Sequence, residues 1–369
     1  MTNSLSLPAD GHTDGHHDPD RLLAAVPGLL GFVPEQSIVL LVFRDERSVM
    51  ATMRHDLALT GRGAASAGMR QLFGRLGSLA ASYGSVGTVA VIVDDRFAPD
   101  DARYGRVAEA ADRAFEPAGG LSAAFAMNEA AAGARWHTVW SPDPVRASLP
   151  FPGPILPTGL LSDPNASPVA LERAVASGRR ILARRSEMAA LLSPEAHCAQ
   201  AECREVTPVA VRHPPNATDA RGLAAVLAVV DRFDHGDTEL TCADLNVVAE
   251  ALVSVHVRDA LLGLALTGLR GTAEDLWRTL ARRLRGRPRA AAATLLGYLH
   301  YMAGEGAYAG VALQVALDAD PDYNLANLLD TALANGMRPR ELVGLAELAF
   351  GIADRLGAGL PPAVYEAAG

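Results

Sequence analysis

The amino-acid sequence predicts an N-terminal α/β domain with a mostly parallel or mixed sheet, followed by an all-α helical-hairpin domain. Three observations carry this expectation. Up to Trp140, apolar runs without alternation, which need cover on both faces, alternate with stretches of helical spacing. Prolines then crowd residues 141–168 and again 194–215. From Thr218 onward, apolar residues recur at helical spacing alone.

The chain begins with a polar stretch, residues 1–20, in which His12, His16 and His17 stand among aspartates. This composition suits a disordered tail, although histidines beside carboxylates are also able to hold a transition metal. Residues 22–43, LLAAVPGLLGFVPEQSIVLLVF, are the stretch around which the rest is organised. Within it, residues 38–43 read as a buried strand. Pro27-Gly28 and the turn from Gly31 to Pro34 cannot continue a helix and prescribe a tight approach to it, with Glu35, Gln36 and Ser37 as its polar lip. Residues 49–57 are expected to pair with that strand as a hairpin. Further strands are expected at 88–93, 121–127 and 136–140. Two helices intervene: 64–83, with Met69, Leu72, Phe73, Leu76 and Leu79-Ala80 recurring at helical spacing, and 99–115, with Val107, Ala108, Ala111 and Phe115 on one face.

The prolines of 141–168 cannot supply regular hydrogen bonding, so this segment reads as a connector. Residues 169–192 predict one helix, closed by Ser193-Pro194. Its polar face holds Arg173, Arg179, Arg180, Arg184, Arg185 and Glu187, either a solvated face or an anion site. Helices are then expected at 219–231, 242–255, 257–266, 272–284, 290–303, 307–317, 323–333 and 340–356. The organisation is thus a disordered tail at 1–20, an α/β domain at 21–141, a proline-rich connector with one helix (169–192) at 142–215, and an all-α domain at 216–369. In that last domain Leu296-Gly297, Tyr308, Ala312, Ala316 and Asp320-Pro321 resemble one tetratricopeptide unit. A single unit leaves both a plain helical bundle and a peptide-binding surface open.

A wider resemblance rests on three segments. P-x-L-L-G-F-x-P-x-x-S-x-V-L, from Pro27 to Leu40, is similar to the opening signature of an actinobacterial family called domain of unknown function 4192. The segments ASGRRILARRSEMAALLSP at 176–194 and GYLHYMAGEGAYAGVALQVALDADPDYNLANLL at 297–329 agree with it, in the expected order. The resemblance implies a family without an assigned activity, so it supplies no catalytic residues. The family pattern often places cysteines after the Trp136–Trp140 strand. Here Ser141-Pro142-Asp143-Pro144 stands there, so no thiol or metal role carries over.

At 369 residues, with 49% hydrophobic and 20% charged, the chain is globular and long enough for two domains. A net charge of −9 opposes general binding to nucleic acid or an anionic membrane. Every basic residue is arginine, which cannot form a Schiff base. That excludes lysine-anchored pyridoxal phosphate chemistry, a Walker A P-loop and a kinase-type lysine. Cys198, Cys203 and Cys242 make neither a disulfide framework nor a zinc set, and their odd number, with an acidic start unlike a secretory leader, predicts a reducing cytoplasm. Residues 22–43 are long enough to span a membrane but contain Pro27, Pro34, Glu35 and Gln36, so no span is expected.

Candidate chemistry concentrates at two places. Gly61, Gly63 and Gly68 lie in a loop between a strand and a helix, where backbone N–H groups can cradle a phosphate. Their spacing is not the dinucleotide fingerprint. Asp94 and Asp95 close the strand 88–93, where α/β sheets hold ribose or magnesium, although Asp-Asp-Arg is also ordinary turn composition. His55, at a strand end, is a candidate acid or base, and Arg258-Asp259 a local or interdomain ion pair. No G-x-S-x-G, H-E-x-x-H or C-x-x-C motif occurs. Two functions follow as expectations: a non-enzymatic binding or scaffold protein with a protein partner on its helical domain, or a nucleotide- or phosphate-binding α/β protein with magnesium-dependent hydrolysis.

Overall fold

The computed structural model describes residues 5–6, 11–13, 16–46, 48–143, 149–196, 203, 206 and 215–364. The chain divides into two units, Ser4–Glu187 and Met188–Gly369. The first contains β1 (Leu5–Ser6), β2 (Gly11–Thr13), β3 (His16–Asp18), α1 (Asp20–Leu30), β4 (Ser37–Phe43), β5 (Ser48–Asp56), α2 (Ala67–Ser82), β6 (Gly87–Val93), α3 (Ala102–Ala114), β7 (Ala123–Met127), β8 (Arg135–Trp140), β9 (Thr158–Leu160) and α4 (Pro168–Ser177). Helix α5 (Arg185–Ala190) lies at the division.

Seven strands form one mixed sheet in the order β1-β5-β4-β6-β7-β8-β9, with β2 and β3 paired separately. Every residue of β4, β6 and β7 is buried. That explains their unbroken apolar sequence, since a strand covered on both faces has no solvent side to alternate toward. Ile38, Leu40, Val42, Ala90, Ile92, Ala124 and Ala126 pack with Met69, Phe73 and Leu76 of α2 and with Tyr104, Val107 and Ala111 of α3. The opposite set is equally buried, Phe125 meeting Trp136 and Phe151 edge-on with ring centroids 5.9 Å apart. Of the six pairings in this sheet only β6 with β7 is parallel, through the crossover helix α3, so the mixed alternative holds.

Four expectations before residue 194 need correction. Pro27-Gly28 does not stop the helix: α1 continues to Leu30 with Pro27 inside it. Burial outweighs the lost hydrogen bond, because eight of the eleven α1 residues are buried and Gly28 lies where a Cβ would sit 3.0 Å from the Ala170 backbone nitrogen of α4. The helix ends instead at Gly31, whose φ of 82° only glycine adopts cheaply. The single helix expected at 169–192 is two. Gly178, at φ 66°, caps α4, and the chain beyond runs extended so that Leu182 donates to the Gly31 carbonyl and accepts from the Val33 N–H.

The other two concern proline-rich and polar stretches. Residues 158–160, expected in a connector, add β9 to the sheet beside β8, where an edge strand needs only one row of partners. In the tail, the His17 N–H donates to the Pro154 carbonyl and its ring meets Phe151, so residues 16–18 are held in place. The second proline break, 194–215, lies mostly outside the described residues, as does Cys198.

The second unit is helical: α6 (Ala217–Asp234), α7 (Cys242–Leu252), α8 (Val255–Leu261), α9 (Arg270–Arg283), α10 (Gly286–Met302), α11 (Gly306–Ala319), α12 (Asn324–Ala334) and α13 (Val343–Arg355). The helix expected at 257–266 gives way to a 3-10 turn at Leu262–Leu266. Asn216 with Asp219, and Thr241 with Asp244, form capping boxes that start α6 and α7. Helix α10 is buried continuously from Ala290 to Met302, the pattern of a central helix, and packs on α7, α8, α9, α11 and α12. A Cβ at Gly297 would meet the Leu313 side chain at 2.9 Å, so α10 and α11 approach closely there.

Candidate functional site

Strands β5, β6 and β7 run in one direction, and their registers align their last residues: Ser37 pairs with both Asp56 and Val93, and Val93 with Met127. Leu57, Asp94 and Asn128 therefore emerge side by side, next to Gln36. This is the carboxyl edge at which open α/β sheets receive ligands. The glycine loop leaves β5 from the same edge, so the structure does bring it and the two aspartates to one side of the sheet.

Asp94 is fully buried. Its Oδ1 accepts from Arg96 Nε at 2.7 Å and its Oδ2 from Arg96 Nη2 at 3.1 Å, and the same Nη2 donates to the Leu57 carbonyl at 3.0 Å. The Asp94 carbonyl accepts from Asn128 Nδ2 at 3.0 Å and from the Tyr104 hydroxyl at 3.3 Å. Hydrogen bonding to Asp94 raises the Arg96 pKa, while burial, aided by Asp94, pushes the Tyr104 phenol well above its ordinary range. The group is a fork-to-fork pair that ties the ends of β5, β6 and β7 together. Asp95 is exposed and accepts one bond, from Gln36 Nε2 at 3.1 Å. Gln36 itself sits at φ 42°, a conformation residues other than glycine seldom adopt, with its carbonyl held by the Leu57 N–H at 2.7 Å.

The glycine loop is folded on itself. The N–H groups of Thr60, Gly63, Ala64 and Ser66 all donate within residues 58–64. Ser66 Oγ accepts from Met69 N–H and so caps α2. Gly63 is buried at φ 72°, where a Cβ would lie 3.1 Å from Arg103 Cβ of α3. Gly61 and Gly68 are exposed, with open space where a Cβ would sit. Only Gly63 is thus required by the backbone, and what it serves is the seat of the loop on α3.

His55 is half-buried on β5, its pKa lowered by burial first and by Arg54 next. Arg173 and Arg184 share no helix face, since α4 has ended between them; Arg173 donates to the Gly28 carbonyl and Arg184 pairs with Glu35 at 3.4 Å. Arg258 donates to Asp259 at 2.8 Å and lies over the Tyr323 ring, a pairing inside the helical unit. Among the described residues no group of three His, Cys, Asp or Glu side chains converges as a metal set. No helix of the described residues is long and apolar enough to cross a membrane.

One place escaped the sequence reading. A pocket of about 270 Å³ in the helical unit is lined by Arg282, Arg283, Arg285 and Arg289, with Glu195 and Asp318. Its signal is the run RRLRGRPR at 282–289, which spans the end of one helix and the start of the next.

Fold and site define a class: a mixed-sheet unit whose strand ends are closed by an internal ion pair, followed by an all-helical unit. The chain matches the family described as Domain of unknown function (DUF4192) over residues 19–340 and belongs to that family. No curated protein and no solved structure matches it.

Proposed function

We propose that this is a non-enzymatic binding or scaffold protein of the cytoplasm, with a partner surface on its helical unit. The observation that supports this most is the state of Asp94. The buried carboxylate best placed for chemistry is held through both oxygens by Arg96. A metal ion would have to displace a bidentate, charge-assisted pair to reach it. On the helical side, support comes from the close α10–α11 approach at Gly297, which suits a tetratricopeptide-like unit, and from Leu328 and Leu348, 59% and 64% exposed. The cytoplasmic placement rests on the odd number of cysteines, and the net charge of −9 favours a protein partner over nucleic acid. Photo-crosslinking tests the reading: a benzophenone side chain at position 328 or 348 should give a discrete conjugate in cells, and one at position 62 should not. The reverse pattern would contradict it.

A second reading is favoured by one observation, that the glycine loop, Asp95 and Gln36 lie along one strand-end edge. In it the sheet unit binds a nucleotide or phosphate ligand and hydrolyses it with magnesium held by Asp95, the exposed member of the aspartate pair. Calorimetric titration with a nucleotide panel decides. Magnesium-dependent heat that disappears in Asp95→Asn supports this second reading; silence from every nucleotide in folded protein leaves the first.

A further inference from the structure

The arginine-lined pocket of the helical unit is built from the last turn of α9, the first turn of α10, the end of α11 and the segment around Glu195. Among the described residues four arginines line it and only two acidic residues, Glu195 and Asp318. Glu195 Oε2 lies 3.3 Å from Arg282 Nη2 and 3.9 Å from Arg283 Nε, so one carboxylate is shared between two cations. The Nε atoms of both arginines are shielded from water and have no hydrogen-bond partner among the described residues. Among the described residues no carboxylate pairs with Arg289; its bonds go to the Ala281 and Leu192 carbonyls, and burial lowers its pKa against the opposing pull of Asp318. Arginine remains charged under such conditions, so the excess positive charge persists.

Helix electrostatics explain half of this cluster and not the rest. Arg282 and Arg283 occupy the last turn of α9, where cations are favourable. Arg285 and Arg289 flank the start of α10, where they are unfavourable, and no side chain caps that start. In a chain carrying a net charge of −9, an uncompensated cationic hollow is a local exception.

We infer that this pocket binds the phosphate group of a small phosphorylated molecule. A phosphate dianion matches the excess of two positive charges, and its oxygens suit forked guanidinium donors. The volume of about 270 Å³ lies near the lower end of the ~300–1,000 Å³ typical of small-molecule pockets, which favours a small ligand. This site is separate from the strand-end edge, so the inference stands or falls apart from the function proposed above.

The test is calorimetric titration of the full chain, at fixed ionic strength, with inorganic phosphate, pyrophosphate and a sugar phosphate. Saturable binding of at least one is expected, weakened about tenfold or more in Arg285→Gln, which removes a charge-assisted donor. Glu195→Gln should act in the opposite sense and tighten binding, because it removes the carboxylate competing for Arg282 and Arg283. Circular dichroism checks that both variants fold. Equal affinity for phosphate and its ester would mark the free ion as ligand, and tighter ester binding a phosphorylated metabolite. No binding of any of the three, or weaker binding in Glu195→Gln, would overturn the inference.

Discussion

The strand ends of the sheet unit and the arginine pocket of the helical unit both gather charged groups, but they resolve them differently. At the strand ends each strong donor meets an acceptor: Arg96 engages both oxygens of Asp94 and the Leu57 carbonyl, and Asn128 spans the carbonyls of Asp94 and Phe97. In the pocket, Glu195 is divided between two arginines whose Nε atoms have no hydrogen-bond partner among the described residues. A satisfied network braces a fold. An unsatisfied one is stable only where its surplus is small or a ligand completes it. Charged residues at a strand's carboxyl end, the conventional place to look, are therefore not by themselves the place where binding is prepared.

The largest expected effect tests the base of that contrast. If β4 is covered on both faces, Leu40→Asp places an unpaired charge in the core and should destabilise by about 4 kcal/mol or more, read as a lower denaturation midpoint. Cooperative unfolding at an unchanged midpoint would make the strand peripheral. Next comes Asp94→Asn, which leaves Arg96 without its counter-charge. The cation left behind, Arg96, has a side chain 35% exposed and is partly solvated, so a loss of about 1–2 kcal/mol is expected, between an exposed and a buried pair. A change below about 0.5 kcal/mol would mean that Asp94 is no brace.

Effects of equal or smaller size sharpen the picture. Gly31→Val forces a β-branched residue to φ 82° and should cost about 1–2 kcal/mol in the same measurement. His55 should titrate below its ordinary 6.5, because burial and then Arg54 disfavour the cation. With the folded pKa depressed, the unfolded state binds the proton more readily. The His55 contribution is thus fully present above pH 6.5 and is lost as pH falls through the folded value. An NMR titration showing His55 at or above 6.5 would remove that reading.

Much of the fold was legible because burial writes itself into sequence. The unbroken apolar runs of β4 and β6 and the inward residues of α2 and α3 were readable without coordinates. Proline and glycine were misread where tertiary contacts override local propensity. Pro27 stays helical inside a buried segment, and Gly178 breaks a helix whose periodicity continues past it. At the candidate site, the glycine loop and the aspartates stood out as residue types, but neither their meeting at one edge nor their commitments were readable. Whether Asp94 faces a ligand or Arg96, two residues on, is a matter of side-chain direction, to which spacing is blind. The arginine pocket was missed because its walls come from Glu195, the 282–289 run and Asp318, distant in sequence.

One sample can hold both halves of the comparison. Arginine Nε–H resonances, followed by NMR while inorganic phosphate is titrated into the full chain, report each guanidinium separately. The account predicts that Arg282 and Arg283 shift saturably while Arg96, held by Asp94, does not move. A shift at Arg96 with Arg282 and Arg283 unmoved would contradict it.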